Sequence, residues 1–309
     1  MISSRTVSTF LSRHDLYERL RARGLVELER ALSDLGDRVY KKSGRVKSAY
    51  SFVMKAEQRG MWRSLSEMTD IVGLRAVRSR LADRVIYQSD FSRETWESEY
   101  GVAEVPARVV YNGVDLKAFN PDGPRQNSRA KVCILNVEGR QGNDPFDIAL
   151  NSAEDLRDAG VDVELALVGN GPDHFRERMT AYPFVTYHGA VSHESLPALY
   201  RAADLVILTD IYTAGCPNSA IESLACGSPL LGFRVGPFGE IVTSSTGRCV
   251  EYGGDPWKGN PPGNRAGFRD AALEILADLP RFRAGARRVA EDRFGLDEMV
   301  ASYIDALLG

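Results

Sequence analysis

The chain has 309 residues, of which 43% are hydrophobic and 26% charged, and its formal net charge is −3. This composition is typical of a soluble globular protein with room for two domains; it gives no support to nucleic-acid binding, and no apolar run approaches the roughly 18–20 residues of a membrane-spanning helix. The four cysteines form no CxxC pair and have no histidine partners at metal-ligand spacing, so the sequence predicts no metal site, reduced thiols and a cytoplasmic location.

The first eighty residues are predicted to be mostly helical. A helix over 15–35 ends at Gly36 and is followed by a basic stretch, 38–84, which holds 12 basic and 4 acidic side chains. Apolar residues, among them Trp62, recur there near helical spacing. One interpretation is a helix that attaches the protein peripherally to the inner face of an anionic membrane. The other is a helix that packs on its own domain with a solvated basic face.

After residue 81 the pattern changes to short β-rich runs that alternate with amphipathic helices. The predicted strands are 84–88, 107–111, 132–137, 163–168, 185–187, 205–209, 229–233 and 248–252. The predicted helices are 92–100, 147–159, 174–182, 194–203 and 218–225, and a loop over 253–267 leads to the C-terminal helices. From about 120 to 255 this alternation predicts a doubly wound α/β domain, which binds ligands at the carboxyl ends of its parallel strands.

The segment 213–229 is the strongest local indication of a binding site. Gly215 lets the backbone approach a ligand closely, and Asn218 and Ser219 stand in the first turn of a helix that follows an apolar strand. Unpaired N–H groups at such a helix start favour an anion such as a diphosphate. Glu222, one turn later, is in reach of the ribose hydroxyls of a nucleotide. The alternative is a capped helix that binds nothing and carries Glu222 on its surface.

Seven motifs follow one another along residues 81–308. They are Ala82-Asp-Arg-Val-Ile-Tyr-Gln-Ser-Asp-Phe-Ser, Val110-Tyr-Asn-Gly-Val-Asp, Leu167-Val-Gly-Asn-Gly-Pro, Val185-Thr-Tyr-His-Gly-Ala-Val, Leu199-Tyr-Arg-Ala-Ala-Asp, Ala220-Ile-Glu-Ser-Leu-Ala-Cys-Gly-Ser-Pro and Gly236-Pro-Phe-Gly-Glu-Ile-Val. Their order resembles the retaining glycosyltransferases of family 4, which have the GT-B fold of two facing Rossmann-like domains. The resemblance implies a short, largely helical and incomplete N-terminal region (1–115), a complete nucleotide-sugar-binding Rossmann-like domain (116–290) and a C-terminal helix that returns toward the N-terminal part (291–309).

The resemblance also implies an activity and a set of site residues. The activity is transfer of a sugar from a nucleotide-diphosphate sugar to a glycan or lipid-linked acceptor, with retention and without a metal or other cofactor. The implied residues are Arg140 for phosphate stabilisation, His188 and Gly189 beside the base, Gly215, Cys216, Asn218 and Ser219 around the phosphates and sugar, Glu222 at the ribose, and Asn112, Gly113 and Asp115 at the hinge between the domains.

Three departures from the family pattern leave alternatives open. Ala214 stands where the first of two paired glutamates is expected, no lysine follows Arg140, and residues 1–80 supply too few strands for a complete first domain. These departures fit a gene that starts late or is cut, a natural short form with a helical N-terminus, or a non-catalytic relative that acts as a nucleotide-binding or interaction protein.

Overall fold

The computed structural model describes residues 82–126, 128, 130–140, 143–210, 215–256 and 261–308. The chain divides into two units, Met1–Val85 with Glu97–Pro106, and Ile86–Trp96 with Ala107–Gly309. In the described part of the first unit, the Val85 amide donates to the Pro106 carbonyl at 3.0 Å. The predicted helix over 15–35 and nearly all of the basic segment 38–84 lie outside the described residues.

Eight strands and nine α-helices make up the described part of the chain. The strands are β1 (Val85–Tyr87), β2 (Ala107–Val109), β3 (Val132–Arg140), β4 (Val163–Asn170), β5 (Val185–Gly189), β6 (Leu205–Leu208), β7 (Leu230–Phe233) and β8 (Gly247–Val250). The helices are α1 (Asp90–Tyr100), α2 (Asn143–Asp158), α3 (Asp173–Met179), α4 (Leu196–Ala202), α5 (Asn218–Ala225), α6 (Phe238–Ile241), α7 (Arg265–Ala277), α8 (Leu279–Arg293) and α9 (Leu296–Leu308). A 3₁₀ turn, His193–Ser195, precedes α4.

Strands β3 to β8 form one six-stranded sheet in the order β5-β4-β3-β6-β7-β8, while β1 and β2 form a separate pair. Every pairing in the large sheet is parallel. Parallel strands need helical crossovers, and these cover both faces of a sheet. Side chains on β3 alternate accordingly: Ile134 belongs to the hydrophobic cluster with α2 and α7, and Leu135 to the cluster with α5 and α8. The predicted α/β class with a parallel sheet is therefore confirmed.

Element limits differ from the predictions by a few residues, each for a local reason. Helix α2 begins at Asn143 rather than at 147, because Asn-Asp-Pro is a typical helix start. Helix α3 ends at Met179, three residues early. The predicted helix 194–203 is a 3₁₀ turn followed by α4, whose first turn contains Pro197. Helix α7 begins inside the predicted loop 253–267, where the Asn264 side chain caps it.

None of the described helices is long and apolar enough to cross a bilayer.

The residue before α9, Gly295, forms a parallel bridge with Val114 in the segment after β2. The predicted domain limits at 115/116 and 290/291 stay predictions.

Candidate functional site

The start of helix α5 lies beyond the carboxyl end of β6 and is held by a side chain from a distant segment. Asn112 donates through its Nδ2 to the Cys216 carbonyl at 2.8 Å and to Asn218 Oδ1 at 2.9 Å. Pro217 precedes the helix in an extended conformation and no side chain caps it. The structure therefore brings three predicted site residues together. In the first turn of α5 the Ala220 amide donates to the Pro217 carbonyl at 3.2 Å, which leaves the amides of Asn218 and Ser219 at the helix start without a side-chain cap. Ser219 stands in the same turn and is partly buried.

The side chain of Gln88 lies against Gly215. A Cβ added at Gly215 would come within 2.4 Å of Gln88 Oε1. Gln88 directly follows β1, in the first of the seven motifs, yet sequence reasoning assigned it no role. Its spacing from Gly215 along the chain gives no signal of the contact. Ala214, the departure from the paired-glutamate pattern, lies outside the described residues.

Glu222 is buried, at 8% exposure, so the alternative that places it on the helix surface is wrong. Its carboxylate accepts a hydrogen bond from the Tyr200 hydroxyl at 3.1 Å, and the other oxygen lies 3.1 Å from His193 Nε2. His193 also packs on Phe119, with ring centroids 5.0 Å apart. The sequence analysis assigned no role to His193 and missed this pairing. Burial, followed by the Glu222 charge, raises the pKa of Tyr200, which keeps its hydroxyl protonated as a donor.

Arg140 ends strand β3 beyond a β-bulge. Val137 pairs with Val168 and Arg140 with Asn170, so three steps along β3 oppose two along β4. Bulges of this kind change the direction of neighbouring side chains and are frequent beside functional sites. No residue of 141–142, where the family pattern places a lysine, lies in the described part of the chain.

Glu138, inside that bulge, belongs to a polar chain under the carboxyl edge of the sheet. Asn136, fully buried, donates to Thr209 Oγ1 at 2.8 Å, and Thr209 Oγ1 donates to Glu138 Oε1 at 2.6 Å. Burial raises the pKa of Glu138 to about 7, with a smaller raising effect from Asp210, while the Thr209 hydrogen bond lowers it. The carboxyl group therefore changes charge near neutral pH. Sequence reasoning did not single out Glu138.

His188 and Gly189 lie at the end of β5, the edge strand of the sheet. They line a cavity of about 230 Å³ together with residues of α3, such as Arg176. Strand β5 is three strands away from β6, which corresponds to about 14 Å at the usual strand spacing. The structure thus separates these two residues from the group at the start of α5, and their contact with a nucleotide base stays a prediction.

The predicted hinge residues Gly113 and Asp115 have structural partners of their own. A Cβ at Gly113 would lie 2.7 Å from the Leu296 Cα, so the close packing of this segment on α9 requires glycine. Asp115 Oδ1 accepts from the amides of Lys117 and Ala118 at 2.8 and 3.2 Å, which makes it the first residue of a local turn. Of the three predicted hinge residues, Asn112 is the one that contacts the start of α5.

Glu240 is a further polar residue that the sequence analysis did not assign. Its carboxylate accepts from the amides of Asp90 and Phe91 at the start of α1, at 3.0 and 2.6 Å. The Tyr111 hydroxyl donates to the same carboxylate at 2.7 Å. Burial and this hydrogen bond raise the pKa of Tyr111. Glu240 therefore ties α1, the segment after β2 and α6 together beside Asn112.

The structure shows neither a reactive cysteine among three buried thiols nor, in its described part, a group of metal-binding side chains. Cys133, Cys216 and Cys226 are buried free thiols, and burial raises the pKa of each to about 12, which makes them poor nucleophiles. Within the described ranges, no three His, Cys, Asp or Glu side chains form a metal-binding group. The prediction of a metal-independent reaction stays a prediction.

Comparison with known proteins shows which family and which solved structures this chain is similar to. The family model described as Glycosyl transferases group 1 matches residues 133–278. The GDP-mannose-dependent alpha-(1-6)-phosphatidylinositol dimannoside mannosyltransferase of Mycobacterium tuberculosis is 30% identical over 182 residues, 55% of this chain and 45% of that protein. The D-inositol 3-phosphate glycosyltransferase of Mycobacterium bovis is 30% identical over 246 residues, 73% of this chain and 49% of that protein. The chain spans about half the length of these relatives.

Solved structures of glycosyltransferases share the fold. Sucrose-phosphate synthase from Thermosynechococcus elongatus aligns with a TM-score of 0.59 at 20% identity, over 76% of this chain and 60% of that one. HepE of Anabaena, solved in complex with UDP and glucose, aligns with a TM-score of 0.60 at 19% identity, over 77% and 66%. At these identities the likeness shows the fold alone, and that fold is GT-B.

Proposed function

Because the family model of the glycosyl transferases group 1 matches residues 133–278, we propose that this chain transfers a sugar from a nucleotide-diphosphate sugar to a glycan or lipid-linked acceptor, with retention and without a metal ion. The observation that carries the proposal is the start of α5, where Asn112 contacts Cys216 and Asn218 at the carboxyl edge of a parallel sheet. Open α/β sheets bind their ligands at this edge.

The start of α5 suits the diphosphate of such a donor. Its first-turn N–H groups and its helix dipole favour negative charge, and Gly215 keeps the approach to the backbone open. Arg140 ends β3, the strand next to β6, and a cation there would stabilise the charge that develops on the departing diphosphate. One preorganised donor of this kind contributes about 3–4 kcal/mol to a transition state.

Glu222 suits the ribose. Tyr200 and His193 each occupy one carboxylate oxygen, and an ionised carboxylate offers roughly four acceptor positions, so acceptors remain for two ribose hydroxyls. The two partners also fix the orientation of the carboxylate before a nucleotide binds. We therefore assign Glu222 the role of ribose acceptor and His193 and Tyr200 the role of its positioning residues.

The relatives suggest which donors and acceptors to try. The names of the two mycobacterial proteins specify GDP-mannose, a phosphatidylinositol dimannoside and an inositol 3-phosphate, whereas HepE was solved with UDP. We propose a lipid-linked or inositol-containing acceptor, and a GDP- or UDP-sugar as donor. The basic segment 38–84 would attach the protein peripherally to an anionic membrane, and flotation with anionic vesicles at low and high salt tests this attachment.

A donor panel and two variants test the proposal. Thermal unfolding with UDP-, GDP- and ADP-sugars should show stabilisation by one nucleotide class, since a ligand at about 100 times its dissociation constant adds about 2.7 kcal/mol. Glu222→Gln and Arg140→Gln should each weaken donor binding about tenfold or more. The exposed pairs on α7 supply matched controls, Glu274→Gln and Arg269→Gln, which should bind the donor as the unchanged protein does.

The second candidate is a non-catalytic relative, favoured by Ala214 and by the absence of a lysine after Arg140. Donor binding with no transfer and no donor hydrolysis would favour this candidate. If no nucleotide sugar stabilises the protein, the donor site itself is refuted. Transfer that is lost in Glu222→Gln, and kept in Glu274→Gln, would exclude the non-catalytic alternative.

A further inference from the structure

A second cavity, of about 410 Å³, lies at the opposite end of α5 from the proposed donor site. It is lined by α8 (Arg283, Arg287, Arg288, Glu291), by the turn after α5 and by Arg125 of the segment that leads into β3. Helix α5 has eight residues and is therefore about 12 Å long. The cavity is thus separate from the group around Asn218, and its volume is within the usual range for a small-ligand site.

The lining is strongly cationic. It contains four arginines and a single carboxylate, Glu291. Arg287 Nε donates to Glu291 at 2.7 Å, and Arg283 pairs at 2.9 Å with Asp204, which does not line the cavity. The other two arginines, Arg125 and Arg288, pair with no carboxylate among the described residues. Two guanidinium charges therefore remain uncompensated around one concave surface.

Backbone carbonyls hold the two partly buried arginines in place. Arg287 donates through one terminal nitrogen to the carbonyls of Phe119 and Ala225, at 3.0 and 2.8 Å. Arg283 donates to the Ala203 carbonyl at 2.8 Å. Side chains that are fixed before binding lose less conformational entropy when a ligand arrives. Each guanidinium has five N–H donors, so donors remain after these contacts.

The floor of the cavity stays open because of Gly227. This residue has a φ of +74°, which disfavours other residue types, and its missing Cβ would lie 3.4 Å from Pro121 and 3.5 Å from the Arg283 carbonyl. Any side chain here would begin between two lining residues. A glycine that ends α5 in the left-handed conformation is an ordinary helix stop, and in this position it also leaves the space between the arginines unfilled.

We propose that this cavity binds a phosphate group, either free or carried on a lipid headgroup. The planar guanidinium fork matches the oxygens of a phosphate with two parallel hydrogen bonds, and Arg is preferred over Lys for this reason. The forks of Arg125 and Arg288 have no carboxylate partner in the described part of the chain, and the charges of Arg283 and Arg287 lie beside them, which favours a multiply charged oxyanion over a carboxylate. The proposal is independent of the donor site and of the proposed reaction.

The test removes the two uncompensated charges, which lie on exposed side chains. Arg125→Gln/Arg288→Gln should weaken the binding of inorganic phosphate to the full chain about tenfold or more in calorimetric titrations at low ionic strength. The control, Arg269→Gln/Arg281→Gln, removes the same charge from a half-buried position on α7 and an exposed position on α8, neither of which lines the cavity. It should bind phosphate as the unchanged protein does.

Vesicle flotation distinguishes the two sources of phosphate. Vesicles of phosphatidylcholine with and without phosphatidic acid are compared for the same two double variants, so that any attachment through the basic segment 38–84 is common to both. If Arg125→Gln/Arg288→Gln floats less with the acidic vesicles than the control double variant does, the ligand is a lipid headgroup. If Arg125→Gln/Arg288→Gln weakens the binding of inorganic phosphate but floats as the control does, the ligand is a free phosphate. Equal phosphate binding and equal flotation by the two double variants would overturn the proposal.

Discussion

The carboxyl group of Glu138 should make the free energy of unfolding fall as pH rises through neutrality. Burial is the largest cause that raises its pKa from 4.5 to about 7. Between these values the folded state keeps the proton and the unfolded state has lost it, so stability is fully present below the unfolded pKa and declines as pH passes the folded pKa. A shift of this size corresponds to at most about 3.4 kcal/mol, and the partial exposure of the side chain reduces that ceiling.

The variant Glu138→Gln isolates this effect, since it keeps the side-chain volume and an oxygen that accepts from Thr209. Chemical denaturation at several values between about pH 5 and pH 8 should show a decline in stability for the unchanged protein that is clearly smaller in the variant. Glu274→Gln is the control: Arg248 holds the pKa of this exposed carboxyl below its usual range, so its titration falls outside the window. Parallel declines in the unchanged protein and in Glu138→Gln would refute the reasoning.

Two glycines and one capping carboxylate give further predictions. Gly113→Ala should lower the free energy of unfolding by about 2 kcal/mol or more, because the new Cβ meets the Leu296 backbone. Gly215→Ala should lower it by less than about 1 kcal/mol, because the Gln88 side chain can turn away. Equal costs in urea denaturation would contradict the packing assigned to Gly113. Glu240→Ala should cost about 1–2 kcal/mol, since it leaves the first amides of α1 without their acceptor, and Glu240→Gln should recover part of the loss. An unchanged unfolding midpoint in Glu240→Ala would show that water replaces the cap.

The sheet could be predicted from sequence because its signals are local. Each strand is a short apolar run, and the alternation with amphipathic helices requires parallel order and cover on both faces. The sequence predicts helix 218–225 at its observed limits, because Pro217 is typical of a helix start and Gly227 of the turn after a helix. The errors occurred where two signals compete, as at Pro197, which begins a new helix inside a run that reads as continuous.

The sequence predicts the site only where its residues follow one another in a single segment. The start of α5 is visible as a glycine, a proline and two small polar residues in a row, and the structure brings Asn112 to it as the family pattern implies. The pairing of His193 with Glu222 joins residues 29 positions apart, and the Thr209 hydrogen bond to Glu138 joins residues 71 apart. No periodicity or spacing encodes such contacts, since they arise only when the folded chain brings distant segments side by side. Glu138 shows the consequence most clearly: the sequence contains it as an ordinary acidic residue, and its burial in the folded chain raises its pKa to about 7.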